Sequence, residues 1–160
     1  MTVYHGGTDE IQLPSVSVGR DGLDFGPGFY VTDIREQAEE WARRIADRRG
    51  LPPIINVYEL DITKAKEEFR YLAFEHYDKA WLDFIAESRK EMRPWQDYDL
   101  IEGGVANDRV VDTVEAYIAG LISVELALSQ LSYHKPNNQF YLLSQELTNR
   151  CLRFQRFIKF

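Results

Sequence analysis

Apolar residues recur along this chain with two different periods, and the switches between them mark the elements. "VYHG", Val3 to Gly6, reads as a short first strand, and the loop "QLPSVSVGRDG" follows with Pro14, Gly19 and Gly22 as punctuation. "GFYVT", Gly28 to Thr32, is a second strand. Asp33, followed three residues later by Glu36, makes a capping-box-like helix start. Ile34, Ala38, Trp41, Ala42, Ile45 and Ala46 then recur at helical spacing, and Gly50, Pro52 and Pro53 end the helix. "PIINVYELDI" is a third strand, after which the chain through Leu72 carries no clear period.

Helical spacing returns in "HYDKAWLDFIAESRKEM", with Trp81, Leu82, Ile85 and Met92 on one side. "YDLIEGGVAND" is a strand running into a turn at Gly103 and Gly104. Two further helices are expected, Arg109 to Ala119 closed by Gly120, and Ser123 to Leu131 with Ser123 as its cap. "NNQFYLLS" is a late strand entered from the turn "HKPNN", Ser144 caps the short helix "QELTNRCL", and "RFQRFIKF" is a final strand. Strands at both ends with helices inserted between them predict an α+β domain with a mixed or mainly antiparallel sheet.

Composition agrees with this picture. A chain of 160 residues fits one domain with a real core, and 44% apolar and 13% aromatic residues are the proportions of a packed globular protein. The net charge of −7 works against sequence-independent attraction to nucleic acid or an anionic membrane. "RRIADRR" is a local exception, where Arg43, Arg44, Arg48 and Arg49 form a solvated helix face or steer an anionic ligand. Cys151 is the only cysteine and reads as a buried, inert thiol. Neither a signal-peptide pattern nor a long apolar run is present, which predicts a soluble, cytoplasmic protein with no membrane partner. His5, His76 and His134 lie far apart without metal-site spacing, so no metal is expected, and no Walker or Rossmann glycine pattern occurs.

"LDFGPGFYVT" is the most specific stretch. Gly26, Pro27 and Gly28 stand directly before a strand with Tyr30 at its middle, a combination that specifies one chain path where the backbone passes close to something.

Together, "YHGG", "FGPGFYVT" followed by a helix, and "NNQFYL" resemble the ADP-ribosyltransferases of the diphtheria-toxin-like and poly(ADP-ribose) polymerase type. Their signature is a His-Gly on the first strand, a tyrosine after a Gly-x-Gly turn, and a glutamate or its substitute on a later strand. Those enzymes place a second aromatic eleven residues after the tyrosine, and Trp41 stands eleven after Tyr30. Over essentially its full length the chain is similar to a family of small bacterial proteins in that clan, through "YHG", "DFGPGFYVT", "WLDFI", "GGVAND" and "NNQ" in this order.

The resemblance implies one ADP-ribosyltransferase-like domain over 1–160, with a split, mainly antiparallel sheet and inserted helices. It implies NAD as co-substrate and a mono-ADP-ribosyltransferase, the toxin of a bacterial toxin–antitoxin pair with a small antitoxin protein as partner. The macromolecular acceptor is a protein by the acidic balance, with nucleic acid kept open by the arginine cluster.

Cleaving the nicotinamide–ribose bond passes through an oxocarbenium-like transition state, so the site must grip nicotinamide, orient the ribose and stabilise positive charge. By resemblance His5 binds the adenosine ribose, although a structural histidine fits the sequence equally. Gly6 offers its N–H and C=O to the carboxamide, or is an ordinary turn glycine. Tyr30 stacks on nicotinamide, and Trp41 supplies the opposite wall, packs in the core, or both. Gly28 lets the chain curl against the dinucleotide, and Arg20 meets a phosphate or stays a free surface arginine. Gln139 stands where the family usually has its catalytic glutamate. It can hydrogen-bond a ribose 2′-hydroxyl but carries no charge; the resemblance then implies single transfer rather than polymer growth, and two alternatives stay open: an inactive NAD-, ADP-ribose- or protein-binding module, and an NAD glycohydrolase. Asp108 in "AND" supplies a carboxylate, or caps the helix that starts at Arg109.

Overall fold

The computed structural model describes residues 1–18, 24–106 and 110–160. Gly19, Arg20, Gly22, Asp108 and the expected helix start at Arg109 lie outside the described residues. In chain order the elements are β1 (Thr2–Gly7), a 3-10 turn (Val16–Val18), β2 (Phe29–Val31), α1 (Arg35–Arg49), β3 (Ile54–Leu60), α2 (Ile62–Glu68) and β4 (Tyr71–Ala73). There follow α3 (Lys79–Arg89), a second 3-10 turn (Pro94–Asp97), β5 (Leu100–Gly103), α4 (Val111–Ile118), α5 (Val124–Leu131), β6 (Gln139–Leu142), α6 (Gln145–Cys151) and β7 (Leu152–Lys159).

The strands form two sheets. One has the order β1-β3-β7 and is antiparallel throughout, and the other has the order β2-β6-β5-β4, parallel only between β4 and β5. This is a mixed α+β fold, and the alternation of side chains shows how its layers stack. Tyr58 and Leu60 of β3 join Phe29 and Val31 of β2, Leu100 of β5, and Phe140 and Leu142 of β6 in one core cluster between the sheets. Ile55 and Val57, on the other face of β3, pack under Ala38 of α1. Ile101 and Tyr141, on the far face of the second sheet, pack under Trp81, Leu82 and Ile85 of α3, Val114 of α4 and Leu131 of α5. β3 is thus covered on both faces, which is why "IINVYEL" reads as a nearly continuous apolar run.

Several local expectations hold. Ser123 accepts the Leu126 N–H and Ser144 the Leu147 N–H, while α1 ends at Gly50. Others need correction. α1 begins at Arg35 with Ile34 as its cap and no side-chain cap bond, so Asp33 and Glu36 make no capping box. The Thr32 hydroxyl takes the Ile34 N–H at 3.0 Å instead, and the Asp33 carboxylate accepts from the Asn138 amide at 3.1 Å. The buried stripe of α1 consists of Ala38, Ala42 and Ala46, and Ile34 and Trp41 lie outside it, each 38% exposed. Met92 falls beyond the end of α3 and is 65% exposed. The aperiodic stretch before Leu72 resolves into α2, capped by Asp61, and the edge strand β4.

Gly6 and the Gly26–Gly28 turn show why the chain spends glycine where it does. A Cβ on Gly6 would lie 2.1 Å from the Ala38 carbonyl oxygen and 3.0 Å from the Ala42 nitrogen, so α1 rests directly on the backbone of β1. Gly26 has φ of +87°, and a Cβ there would strike the Trp95 ring at 2.4 Å; on Gly28 it would strike the Leu142 carbonyl oxygen at 2.5 Å. What the turn approaches so closely is therefore the protein itself.

Gly6→Ala forces helix and strand apart, a backbone clash that no rotamer change relieves. The expected cost is about 1–3 kcal/mol, the range of overpacked cores. It reads out as a lower urea midpoint, and an unchanged midpoint would contradict this packing.

Candidate functional site

β1 and β2 belong to different sheets and touch through one bridge, in which Tyr4 and Thr32 exchange N–H···O bonds of 2.8 and 2.9 Å. Backbone direction alternates along an extended strand, so Gly6 turns its N–H and C=O to the same side as Tyr4, and Tyr30 turns its own to the same side as Thr32. Continued pairing would set Gly6 against Tyr30. Instead the strands part, and the His5 ring reaches the Tyr30 carbonyl through Nδ1 at 2.8 Å.

The gap so formed is an open cleft between β1, β2, the first turns of α1 and the start of β6. Five residues singled out in the sequence line it: His5, Gly6, Tyr30, Trp41 and Gln139. Gly28 is not among the lining residues, and the Leu142 carbonyl accounts for its missing side chain. Arg20 and Asp108 lie outside the described residues.

Each lining residue is held by identifiable contacts. The His5 ring stacks on Phe29, centroids 4.4 Å apart. Burial pushes its pKa below 6.5, and the bond to the Tyr30 carbonyl offsets only part of that shift. A carbonyl only accepts, so Nδ1 carries the proton, and in the neutral ring Nε2 is left as an acceptor. Tyr30 lies against Tyr141, centroids 5.5 Å apart at 28°. Trp41 stands with its exposed ring as one wall and the Arg48 guanidinium 6.0 Å from its centroid. Gln139 opens β6 opposite Gly103, two residues from Tyr141, which places it on the same sheet face as Tyr30.

Of the arginine cluster, Arg48 stands beside the cleft wall, near the Trp41 ring. Arg43 pairs with Glu39 and lies over Phe160, and Arg49 bonds Thr8 and Asp9. The described residues lining the cleft include no carboxylate. Glu102, one register position from Gln139, is on the opposite face of the sheet, where it accepts from the Tyr71 hydroxyl and the Asn138 amide.

The sequence reading missed Tyr4, Val31, Thr32, Gln37 and Ala38 among the lining residues. Gln37 was the most accessible of these, because it precedes Trp41 by four and so shares its helical side. Its Nε2 donates to the Asn138 carbonyl at 3.3 Å, while its Oε1 is buried with no partner, an arrangement that costs about 1–3 kcal/mol. Asn138 links the parts: its carbonyl also accepts the Thr32 hydroxyl at 2.7 Å, and its amide bonds Asp33 and Glu102.

His5 makes stability depend on pH. Its folded pKa is depressed, so below about pH 6.5 the unfolded chain binds the extra proton and the folded one resists it. Stability should fall as pH drops through that value, and His5→Gln should lack this part of the slope. Urea midpoints of both proteins at about pH 7.5 and about pH 5.5 measure the difference; an equal drop in both would remove His5 as the source.

Among the described residues no group of His, Cys, Asp and Glu is placed to hold a metal, and no helix is long and apolar enough to cross a membrane. No curated protein and no solved structure matches the chain. The family described as "Protein of unknown function (DUF3990)" matches residues 1–154, nearly the whole length, and the chain belongs to that family.

Proposed function

We propose that the cleft receives the nicotinamide end of NAD and that the protein is a mono-ADP-ribosyltransferase acting on a macromolecular acceptor. The observation that carries this reading is the meeting of His5, Gly6, Tyr30, Trp41 and Gln139, drawn from β1, β2, α1 and β6, around one opening. The lining residues match the nicotinamide end of the ligand, and the rest of the dinucleotide would run out past the wall.

The lining fits that ligand. Tyr30 offers a flat face backed by Tyr141, and Trp41 offers a second face. The edge of Gly6 presents a donor and an acceptor, the complement of a carboxamide. His5 Nε2 accepts a ribose hydroxyl, and Arg48 beside Trp41 meets negative charge outside the cleft. In the reaction the bond from ribose C1′ to the nicotinamide nitrogen breaks, nicotinamide leaves neutral with the bonding pair, and an acceptor nucleophile bonds C1′ and gives up its proton to solvent. Gln139 orients a ribose hydroxyl but supplies no charge to the oxocarbenium, which makes the reaction slow and a single transfer. A transferase that modifies the cell's own macromolecules harms its host, so we place it as the toxin of a toxin–antitoxin pair restrained by a small antitoxin protein. A protein is the favoured acceptor, in keeping with the net charge of −7.

The absence of a carboxylate from the described lining favours a second reading, a module that binds NAD or ADP-ribose without turnover. NAD labelled on the adenylate phosphate and incubated with a cell lysate separates the two. Transfer puts label into macromolecules, and Tyr30→Ala abolishes it. Gln139→Glu, restoring charge at the reacting carbon, should raise nicotinamide release by at least about tenfold, below the 10²–10³ typical of one preorganised electrostatic group. Nicotinamide release without labelled macromolecules means hydrolysis. NAD binding without release, in Gln139→Glu as well, would sink the enzyme reading.

A further inference from the structure

We propose that Gln37 is a specificity-determining residue of the cleft, whose side-chain oxygen accepts an N–H from the carboxamide of bound nicotinamide and so selects an amide over the corresponding acid. The inference rests on the NAD reading and adds to it a residue and a rule of selection.

The orientation of the Gln37 amide follows from its neighbour. The Asn138 carbonyl can only accept, so the group facing it at 3.3 Å is the NH₂, and the atom left without a partner is Oε1. Gln37 lines the cleft beside Ala38 and Trp41, and its unsatisfied Oε1 is buried behind that wall. Its one bond is long and dispensable, because the Asn138 carbonyl keeps the Thr32 hydroxyl at 2.7 Å. The terminal torsion of a glutamine is broad, so the amide can swing its oxygen to an incoming donor at little cost. Ser88 Oγ, the other buried polar atom without a partner among the described residues, is on α3 and not among the cleft residues.

What satisfies an acceptor is a donor. A carboxamide has two N–H donors, enough for the Gly6 carbonyl and for Gln37 together. A carboxylate has none at neutral pH and sets its charge against the Gln37 oxygen, so nicotinate should be refused.

Titration calorimetry of wild type and Gln37→Met with nicotinamide and with nicotinate, alongside thermal midpoints of the free proteins, tests this. Wild type should prefer nicotinamide by about tenfold, the worth of one good hydrogen bond. Gln37→Met should lose most of that preference while its midpoint stays level or rises, because the variant removes an unsatisfied acceptor and leaves the Asn138 carbonyl bonded. Gln37→Asn, which withdraws the oxygen by one methylene, should lose the preference too and serves as the test where the methionine variant fails to fold. A variant that keeps the wild-type preference, or a wild type that binds NAD without preferring the amide, overturns the inference and leaves the NAD reading standing. A lower midpoint with equal loss of both ligands marks a structural role and overturns it as well. A wild type that binds neither nicotinamide nor NAD overturns both.

Discussion

The single bridge between Tyr4 and Thr32 is the constraint on which the rest of the site depends. Two backbone bonds hold β1 and β2 in register at one end, and each strand is then claimed by its own sheet, β1 by β3 and β2 by β6. Past the bridge the strands cannot stay together, and their inward backbone groups must find other partners. The Tyr30 carbonyl finds the His5 ring. The Gly6 edge faces the opening, while its other side is pressed against the α1 backbone with no room for a Cβ. Packing against α1 is enough to require glycine here, and the backbone edge that it turns to the opening comes with that packing.

Much of the fold was legible because local signals and tertiary demands agree. β1, β2, β3, β6 and β7 stand out by composition, and Ser123 and Ser144 cap the helices that their positions suggest. The failures have a common cause. At Asp33 the capping pattern is present, but Asn138 from a distant turn claims the carboxylate and Thr32 takes over the helix start. β4 was invisible because a short edge strand paired in parallel draws its identity from β5, not from its own sequence. The cleft residues that were missed are of the same kind. Thr32 and Gln37 are ordinary polar residues locally and gain a role only through the Asn138 carbonyl, which lies about a hundred positions away in the chain.

Charge placement distinguishes this cleft from the chemistry that its shape suggests. Glu102 sits one register step from Gln139 yet faces the other side of the sheet, because successive strand residues point to opposite faces. There it is committed to the Tyr71 hydroxyl and the Asn138 amide, and burial together with that carboxylate raises the Tyr71 pKa far above 10. Moving Glu102 to the cleft would need a one-residue slip of β5, which would also turn Leu100 out of the inter-sheet core. The fold therefore lets its carboxylate brace the sheet, and any charge for catalysis must enter at position 139 itself or from outside the described lining.

The same economy shapes the polar wall. His5 is kept neutral by burial and Gln37 keeps an unsatisfied oxygen, and both features lower the stability of the free protein. An apolar residue at position 37 would remove its penalty, since Thr32 already satisfies Asn138, whereas one at position 5 would take from the Tyr30 carbonyl its bond to the ring. Both side chains border one opening, and on the proposed NAD reading a bound ligand would supply the donors that they lack.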